Sequence, residues 1–422
     1  MKKIVFAVLI AIVLFIVLIY ISVSTTSTEF GTCEILNLGD IEQTDFSKHD
    51  SVLVATSTLY QGNFLKDVIQ GKNYREAWST PVKIPIVFLD TLKGGVKVVD
   101  EGGGKQTHSL DLEAKNGIIY TMRSINKDPQ PLIPDFAYAV GIENIVVDGI
   151  SAQHPYAALV VAQLAETIDV LHTNPKAIFV PKQKGLGEYN EKYGNRLFLL
   201  EYESEGKVNW TSIPDVIEII DSDNLQKLKA KDKNVFIDKG ALVRARLFDL
   251  IIGDWDRHAK QWGWAIKTVD SSTIAYPIPA DRDNAFFDVD GILPHLIANQ
   301  VVKPDLRPFD DEISFMPGLV KTFDRYFLQN VSEELFVEEA QHIQRLLTDD
   351  KIKQAFTVWS TELYDLNGQE IMTKIKARRN DLIKYAKAFY NEIGNQGVLT
   401  ESIVGSEDLD LPEHLIKCFD CK

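Results

Sequence analysis

Cysteine is scarce in this chain and clustered positive charge is missing, and each shortage excludes something. Three cysteines occur in 422 residues: Cys33, and Cys418 and Cys421 in the closing "IKCFDCK". One C-x-x-C pair without a second cannot complete a four-ligand zinc site, so a disulfide in an oxidising compartment fits better than a metal. A bridge from Cys33 to one of the C-terminal pair and unpaired tail thiols both stay open. Acidic residues outnumber basic ones, 60 to 45, for a net charge of -15. A nucleic-acid partner is therefore not expected, because phosphate contacts need concentrated Lys and Arg. No internal repeat is visible.

What the chain has at its start is a long apolar run. Ile4 to Val23 is uncharged and long enough to cross a hydrocarbon core of about 30 Å. A cleaved signal peptide competes, with Ser22 and Ser24 as small residues, but its apolar stretch usually spans only about 7 to 15 residues. Lys2 and Lys3 precede the run while Glu29, Glu34 and Asp40 follow it, so the positive-inside rule puts the C-terminal part outside the cytoplasm. The expected organisation is an anchor over 1–25, a linker over 26–50, a strand-rich unit over 51–205, a helical unit over 206–395 and a tail over 396–422.

Local patterns fill in those units. From Gly94 the sequence reads strand, glycine loop, strand, "NG" turn, strand: Val96 and Val98, then Leu110 and Leu112, alternate with polar residues, and Asn116-Gly117 suits a type I′ turn. "QHPYAALVVAQLAETIDV" reads as a mostly buried helix with Pro155 in its first turn. "NRLFLLEYESEG" reads as a buried strand. A helix starts near Asp238, carries Val243, Leu247, Leu250 and Ile251 on one face, and stops at Gly253. Trp262, Trp264 and Ile266 then alternate as a strand, "DSST" turns the chain, and "IAYPIPADRDNAFF" returns it. Near the C-terminus Ile371, Ile375, Arg378, Leu382, Tyr385 and Phe389 form one stripe of a long helix closed by Gly394. Trp255, Trp262 and Trp264 read as core aromatics, and His108, His154 and His172 lack metal-ligand spacing.

Two acidic clusters flank that hairpin. Asp256 and Gln261 follow the capped helix; Asp281 and Asp283 end the returning strand. Carboxylates gathered at one strand edge repel each other and lose hydration unless a divalent cation or a phosphoryl group compensates. Phosphoryl transfer needs this set: one carboxylate to orient the attacking hydroxyl, others to hold magnesium against nucleotide phosphates.

"IGDWDRHAKQW" resembles the "G-N-x-D-R-H/G-x-x-N" catalytic loop of atypical kinases: the HipA-like bacterial kinases, the type II phosphatidylinositol 4-kinases and the secretory-pathway kinases. "ADRDNAFF" resembles their "L-D-N-G-x-x-F" metal segment. The fuller match, from "GGGKQTHSLDLEAKNG" through "HTNPK" to the last helix, is similar to a kinase-like region of bacterial envelope proteins and covers most of residues 80–390. The resemblance implies an α+β, two-lobed protein-kinase-like fold behind an N-terminal transmembrane helix, with ATP and Mg2+ as cofactors. It makes Asp256 the catalytic base, braced by Arg257 and His258. Gln261 and Asp281 become metal ligands, with Asp283 as the alternative to Asp281. Gly102, Gly103 and Gly104 become a phosphate-covering loop. Arg123, with Lys127 four residues on, stands where these kinases carry a phosphate-binding lysine, and Glu166 or Gln153 would be its partner. Gln261 for Asn, Arg123 for Lys and the glycine spacing depart from the family pattern.

The implied activity is ATP- and Mg-dependent phosphoryl transfer to a hydroxyl on a protein, lipid or glycan. A domain outside a bacterial cytoplasm would meet little ATP, so a non-catalytic envelope scaffold is the second expectation. A metal-dependent phosphoester hydrolase using the same carboxylates is the third.

Overall fold

An uncharged, mostly aliphatic run from Ile4 to Ile21 gives the first element, a 21-residue helix over Lys2–Ser22 with mean hydropathy 3.5. At 1.5 Å per residue it is about 31 Å long. The computed structural model describes residues 1–26, 32–103, 107–128, 130–133 and 135–405. Gly104, Cys418 and Cys421 lie outside the described residues, as does their pairing; Cys33 is a buried free thiol. A second apolar stretch, Glu143–Thr167, is long enough to span a bilayer but is largely buried as a core segment.

Beyond the first helix the chain is a mixed α+β structure. Strands β1 (Glu34–Ile35), β2 (Ser51–Ala55) and β3 (Val82–Pro85) form a small antiparallel sheet. The bridge between Ile86 and Phe179 fastens it to a larger one. That five-stranded sheet is built from β4 (Val96–Gly102), β5 (Ser109–Ala114), β6 (Ile119–Ser124), β7 (Lys176–Val180) and β8 (Arg196–Tyr202), in the order β4-β5-β6-β8-β7. Strand alternation sorts its residues. Leu110, Leu112, Tyr120, Met122, Phe198 and Leu200 point to one side and close a core with Leu186 and Tyr193. Asp111, Thr121, Arg123 and Glu201 fall on the other side through the pairings Asp111↔Thr121↔Glu201 and Ser109↔Arg123↔Leu199.

A four-stranded sheet opens the region read as helical: β9 (Val216–Asp221), β10 (Val235–Ile237), β11 (Trp262–Val269) and β12 (Ser272–Pro279), ordered β10-β12-β11-β9. Trp262, Trp264 and Ile266 turn into the main core, where Trp262 stacks on Phe323 at 4.6 Å. Ala265 faces the opposite side with Ile219 and Ile278. Between β10 and β11 runs the helix Lys239–Ile252, capped by Asp238, whose carboxylate accepts from the Ala241 amide at 2.9 Å. Gly253, at φ +68°, ends it in the left-handed region.

Three local expectations need correction. Asn116 does not take the positive φ of a type I′ turn. The β5–β6 hairpin uses a three-residue loop in which Gly117 (φ +80°) donates to Ala114 at 2.9 Å and Asn116 accepts from Ile118, because a type I turn followed by one left-handed glycine closes the strands equally well. Pro155 precedes the helix Ala157–Thr167 and is not in its first turn. The long C-terminal helix is two helices, Gln369–Asn380 and Leu382–Gln396, broken at Asp381, and Gly397 (φ +82°), not Gly394, closes it. Its stripe is buried across the break.

Candidate functional site

Pairing of β11 with β12 decides where the two acidic segments meet. The register Trp262↔Pro279 puts the ends of the hairpin side by side, and the ladder continues past it: the Ala280 amide donates to the Gln261 carbonyl oxygen at 2.9 Å. Arg257 Nη1 reaches across to the Ala280 carbonyl oxygen at 2.8 Å. Further on, the Phe286 amide donates to the Ile252 carbonyl oxygen at 2.8 Å, so the returning segment is stitched to the loop and to the helix end behind it.

Beneath these loops lies a buried lattice of arginines and aspartates. Asp249, in the apolar run "RLFDLII", is fully buried and accepts from Arg246 Nη1 and Arg282 Nη2, each at 2.9 Å. Arg257 Nε stands 3.3 Å from the same carboxylate. Burial pushes the Asp249 carboxyl up, but Arg257, Arg282 and Arg246 together outweigh it and hold it below the usual carboxylate range. Arg246 is also gripped by Asp324 at 2.6 Å. Arg257 stacks on Trp262, 4.8 Å from the ring centroid. Asp254 has less help: burial drives its carboxyl well above the normal range against the pull of Arg257.

Above the lattice the sequence-derived site residues come together in part. Asp256 and Gln261 touch, with Gln261 Nε2 donating to Asp256 Oδ2 at 3.3 Å, while Arg257 Nη1 donates to Gln261 Oε1 at 3.1 Å. His258 Nε2 stands 3.9 Å from Asp256 Oδ1. Asp281, itself left-handed at φ +53°, faces Arg123 of β6, whose Nη1 donates to Asp281 Oδ2 at 2.5 Å. Lys127 makes a short ion pair with Asp283. Burial raises the Asp281 carboxyl, and Arg123, Lys127, His258 and Arg257 overcome that and lower it. Asp283 stays raised, because burial and the neighbouring Asp281 charge exceed what Lys127 offsets. Arg282, between the two, turns the other way into the lattice.

The glycine run sits at the same end of the five-stranded sheet as Arg123, since Gly102 pairs with Ser109 and Ser109 with Arg123. Gly103 takes φ +80°, and a Cβ there would fall 2.2 Å from the Thr107 carbonyl oxygen, so the turn needs glycine. Glu166 is not the partner of Arg123. It stands exposed on the helix Ala157–Thr167 and lines a different groove with His172, Trp210 and Arg244. The carboxylate on Arg123 is Asp281. Gln153 does reach the site segment: its Nε2 donates to Asn284 Oδ1 at 2.6 Å, and Asn284 Nδ2 donates to Asp283 at 3.2 Å.

Asp249, Arg282 and Glu201 join the site without being singled out by any motif. For Asp249 the sequence does hold a signal, a lone carboxylate among buried apolar neighbours. Arg282 carries none, because strand alternation does not survive the left-handed residue before it. Glu201 is buried beside Arg123 and accepts from Thr173 Oγ1 at 2.6 Å.

The donor atoms gathered here are hard oxygens of the kind that bind magnesium. As arranged, the carboxylates are met by guanidinium and ammonium groups, and among the described residues no three His, Cys, Asp or Glu side chains converge as a ligand set. No protein-family model matches the chain, and no curated protein sequence matches it either. Among solved structures, the chain is similar at 12% identity to the proinflammatory kinase CtkA of Helicobacter pylori, with a TM-score of 0.35 over 70% of this chain and 96% of that one. It is also similar, at 12% identity and a TM-score of 0.32, to the toxin–antitoxin complex of HipA, HipB and operator DNA from Shewanella oneidensis, over 71% of this chain and 67% of that one.

Proposed function

We propose that this chain is a membrane-anchored, two-lobed kinase-like protein that transfers a phosphoryl group from a nucleotide to a hydroxyl where the end of β6 meets the segment bearing Asp281 and Asp283. One observation carries the reading: two cations from the five-stranded sheet and the segment after it, Arg123 and Lys127, face two carboxylates, Asp281 and Asp283, beside the Asp256–Gln261 loop. Phosphates bind such cations and a divalent metal binds such carboxylates, so a magnesium–nucleotide complex would replace both ion pairs at once. Asp281 and Asp283, with Gln261, would hold the metal, which would neutralise charge on the phosphates. Asp256 would orient the hydroxyl and accept its proton, with His258 alongside. Arg257 and Asp249 would keep the loop in place, and Gly102–Gly104 would cover the phosphates.

A second reading, a non-catalytic scaffold, draws support from the same contacts: Arg123 and Lys127 already neutralise the two aspartates, and Arg257 already occupies Gln261 Oε1. Calorimetry with ATP and Mg2+ separates the two. The kinase reading expects metal-dependent nucleotide binding, and transfer of labelled phosphate that Asp256→Ala and Asp281→Ala abolish. Equal signal from all three proteins, or no metal-dependent affinity, would end it.

A further inference from the structure

The last turn of the N-terminal helix is fastened to the rest of the protein, and the fastening determines which surface lies beside it. Ser22 Oγ accepts from Gln70 Nε2 at 2.9 Å, and Thr26 Oγ1 accepts from the ammonium of Lys66 at 3.0 Å. Lys66 is buried and paired with Asp148 at 2.9 Å, and Asp148 also takes Arg75 Nη1 at 2.8 Å. One step inside the helix, the Tyr20 hydroxyl donates to the Val140 carbonyl oxygen, and a Cβ on Gly141 would lie 3.7 Å from the Tyr20 ring. The segment around Val140 is therefore level with a residue that still belongs to the apolar helix. On the other flank Gly291 rests against the backbone of Gln70 and Gly71, where a Cβ would fall 2.2 Å from the Gly71 nitrogen. That contact sets the short helix Ile292–Ile297 beside the same foot.

Both flanking segments show apolar side chains to solvent. Tyr138 and Val140 are 49% and 53% exposed, Leu296 58%, and Val301 and Val302 90% and 57%. The two valines are held out by a built turn, since Asn299 Oδ1 accepts from both of their amides, at 2.9 and 3.1 Å. Apolar residues gathered on one surface, unlike single exposed ones, mark a site of interaction.

We infer that this collar around the helix foot is a bilayer-contacting face: Tyr138, Val140, Leu296, Val301 and Val302 enter the interfacial layer of the membrane that Lys2–Ser22 spans. The inference rests on the anchor reading. Lipid is the occupant because the Val140 segment is bonded to a helix whose own side chains are exposed nearly all round, and because a tyrosine at the end of that helix suits the headgroup boundary. The segment bearing Asp281 and Asp283 runs on into this collar, so the face also fixes how those two carboxylates are held over the membrane.

The test uses the full chain in vesicles of phosphatidylethanolamine and phosphatidylglycerol, with Cys418 and Cys421 changed to serine and Cys33 left buried. An environment-sensitive fluorophore is placed at Leu296→Cys, at Val301→Cys and, as control, at Phe236→Cys, an exposed apolar site on β10. Blue-shifted emission quenched by acyl-chain-brominated lipid at the first two positions, with water-like emission at the third, is the expected result. Alkaline carbonate washing is run in parallel. Release of the protein by carbonate overturns the anchor reading and the collar with it; retention with water-like emission at all three positions overturns the collar alone.

Discussion

Asp249 shows how much can depend on one buried carboxylate. Three arginines converge on it, and two of them, Arg257 and Arg282, belong to the loops that bear Asp256, Asp281 and Asp283. Asp249→Asn keeps the shape and removes the charge, leaving buried guanidinium groups undercompensated. Stability should fall by about 3–5 kcal/mol, read from the denaturation midpoint, with Arg246 still tied to Asp324. His154 supplies a pH test. It stacks on Trp359 at 4.2 Å, and burial pushes its imidazole down to about 3. The unfolded imidazole titrates near 6.5, so the folded state gives up a proton it would otherwise hold. The stability that neutral His154 carries is complete above pH 6.5 and is lost as pH falls toward 3. At pH 5 the loss is ~2 kcal/mol. His154→Phe should flatten that part of the stability profile between pH 7 and 5, measured against the unchanged protein; an identical slope in both would contradict the assignment.

At the scale of elements, the helix Lys239–Ile252 and its cap aim the loop that bears Asp256. Gly253 is left-handed, and a Cβ on it would meet Phe309 Cδ2 at 2.6 Å and Arg378 Nη1 at 3.2 Å. Gly253→Ala should cost roughly 1–3 kcal/mol through backbone strain. On the kinase reading it should also weaken nucleotide binding, measured by calorimetry, since Asp254 and Asp256 follow directly. This cap was legible because a helix N-cap aspartate, an apolar face and a stopping glycine all agree over 238–253. The C-terminal break at Asp381 was not legible. Its stripe keeps helical spacing across the break, and the one polar member, Arg378, is drawn inward to stack on Phe309 at 4.5 Å and to donate to the Leu250 carbonyl oxygen at 2.9 Å. Periodicity reports which residues are buried but is silent about a one-residue interruption that preserves the buried face.

Over the whole molecule, the ion pairs Arg123–Asp281 and Lys127–Asp283 join the five-stranded sheet to the segment after the four-stranded one. The double variant Asp281→Asn, Asp283→Asn should release both cations. It should therefore bind ATP more tightly than the unchanged protein when magnesium is absent, and it should lose the metal dependence of binding; calorimetry with and without chelator reads both. By itself the sequence determined the apolar N-terminal helix, the strand order from Gly94 to Ser124, the capped helix before the acidic loop and the hairpin after it. Each of these rests on contacts within a few residues, on side-chain period and on turn chemistry. The register of β11 on β12 was not legible, because Ser272 and Thr273 of the "DSST" turn belong to β12 and the chain reverses over Asp270 and Ser271 alone. Only the tertiary structure decided that Asp281, not Glu166, faces Arg123, and that Asp249 and Arg282 underpin the loops. Those pairings span 33 to 158 residues of chain, and burial makes their charges costly unless they meet, a condition that no local pattern encodes.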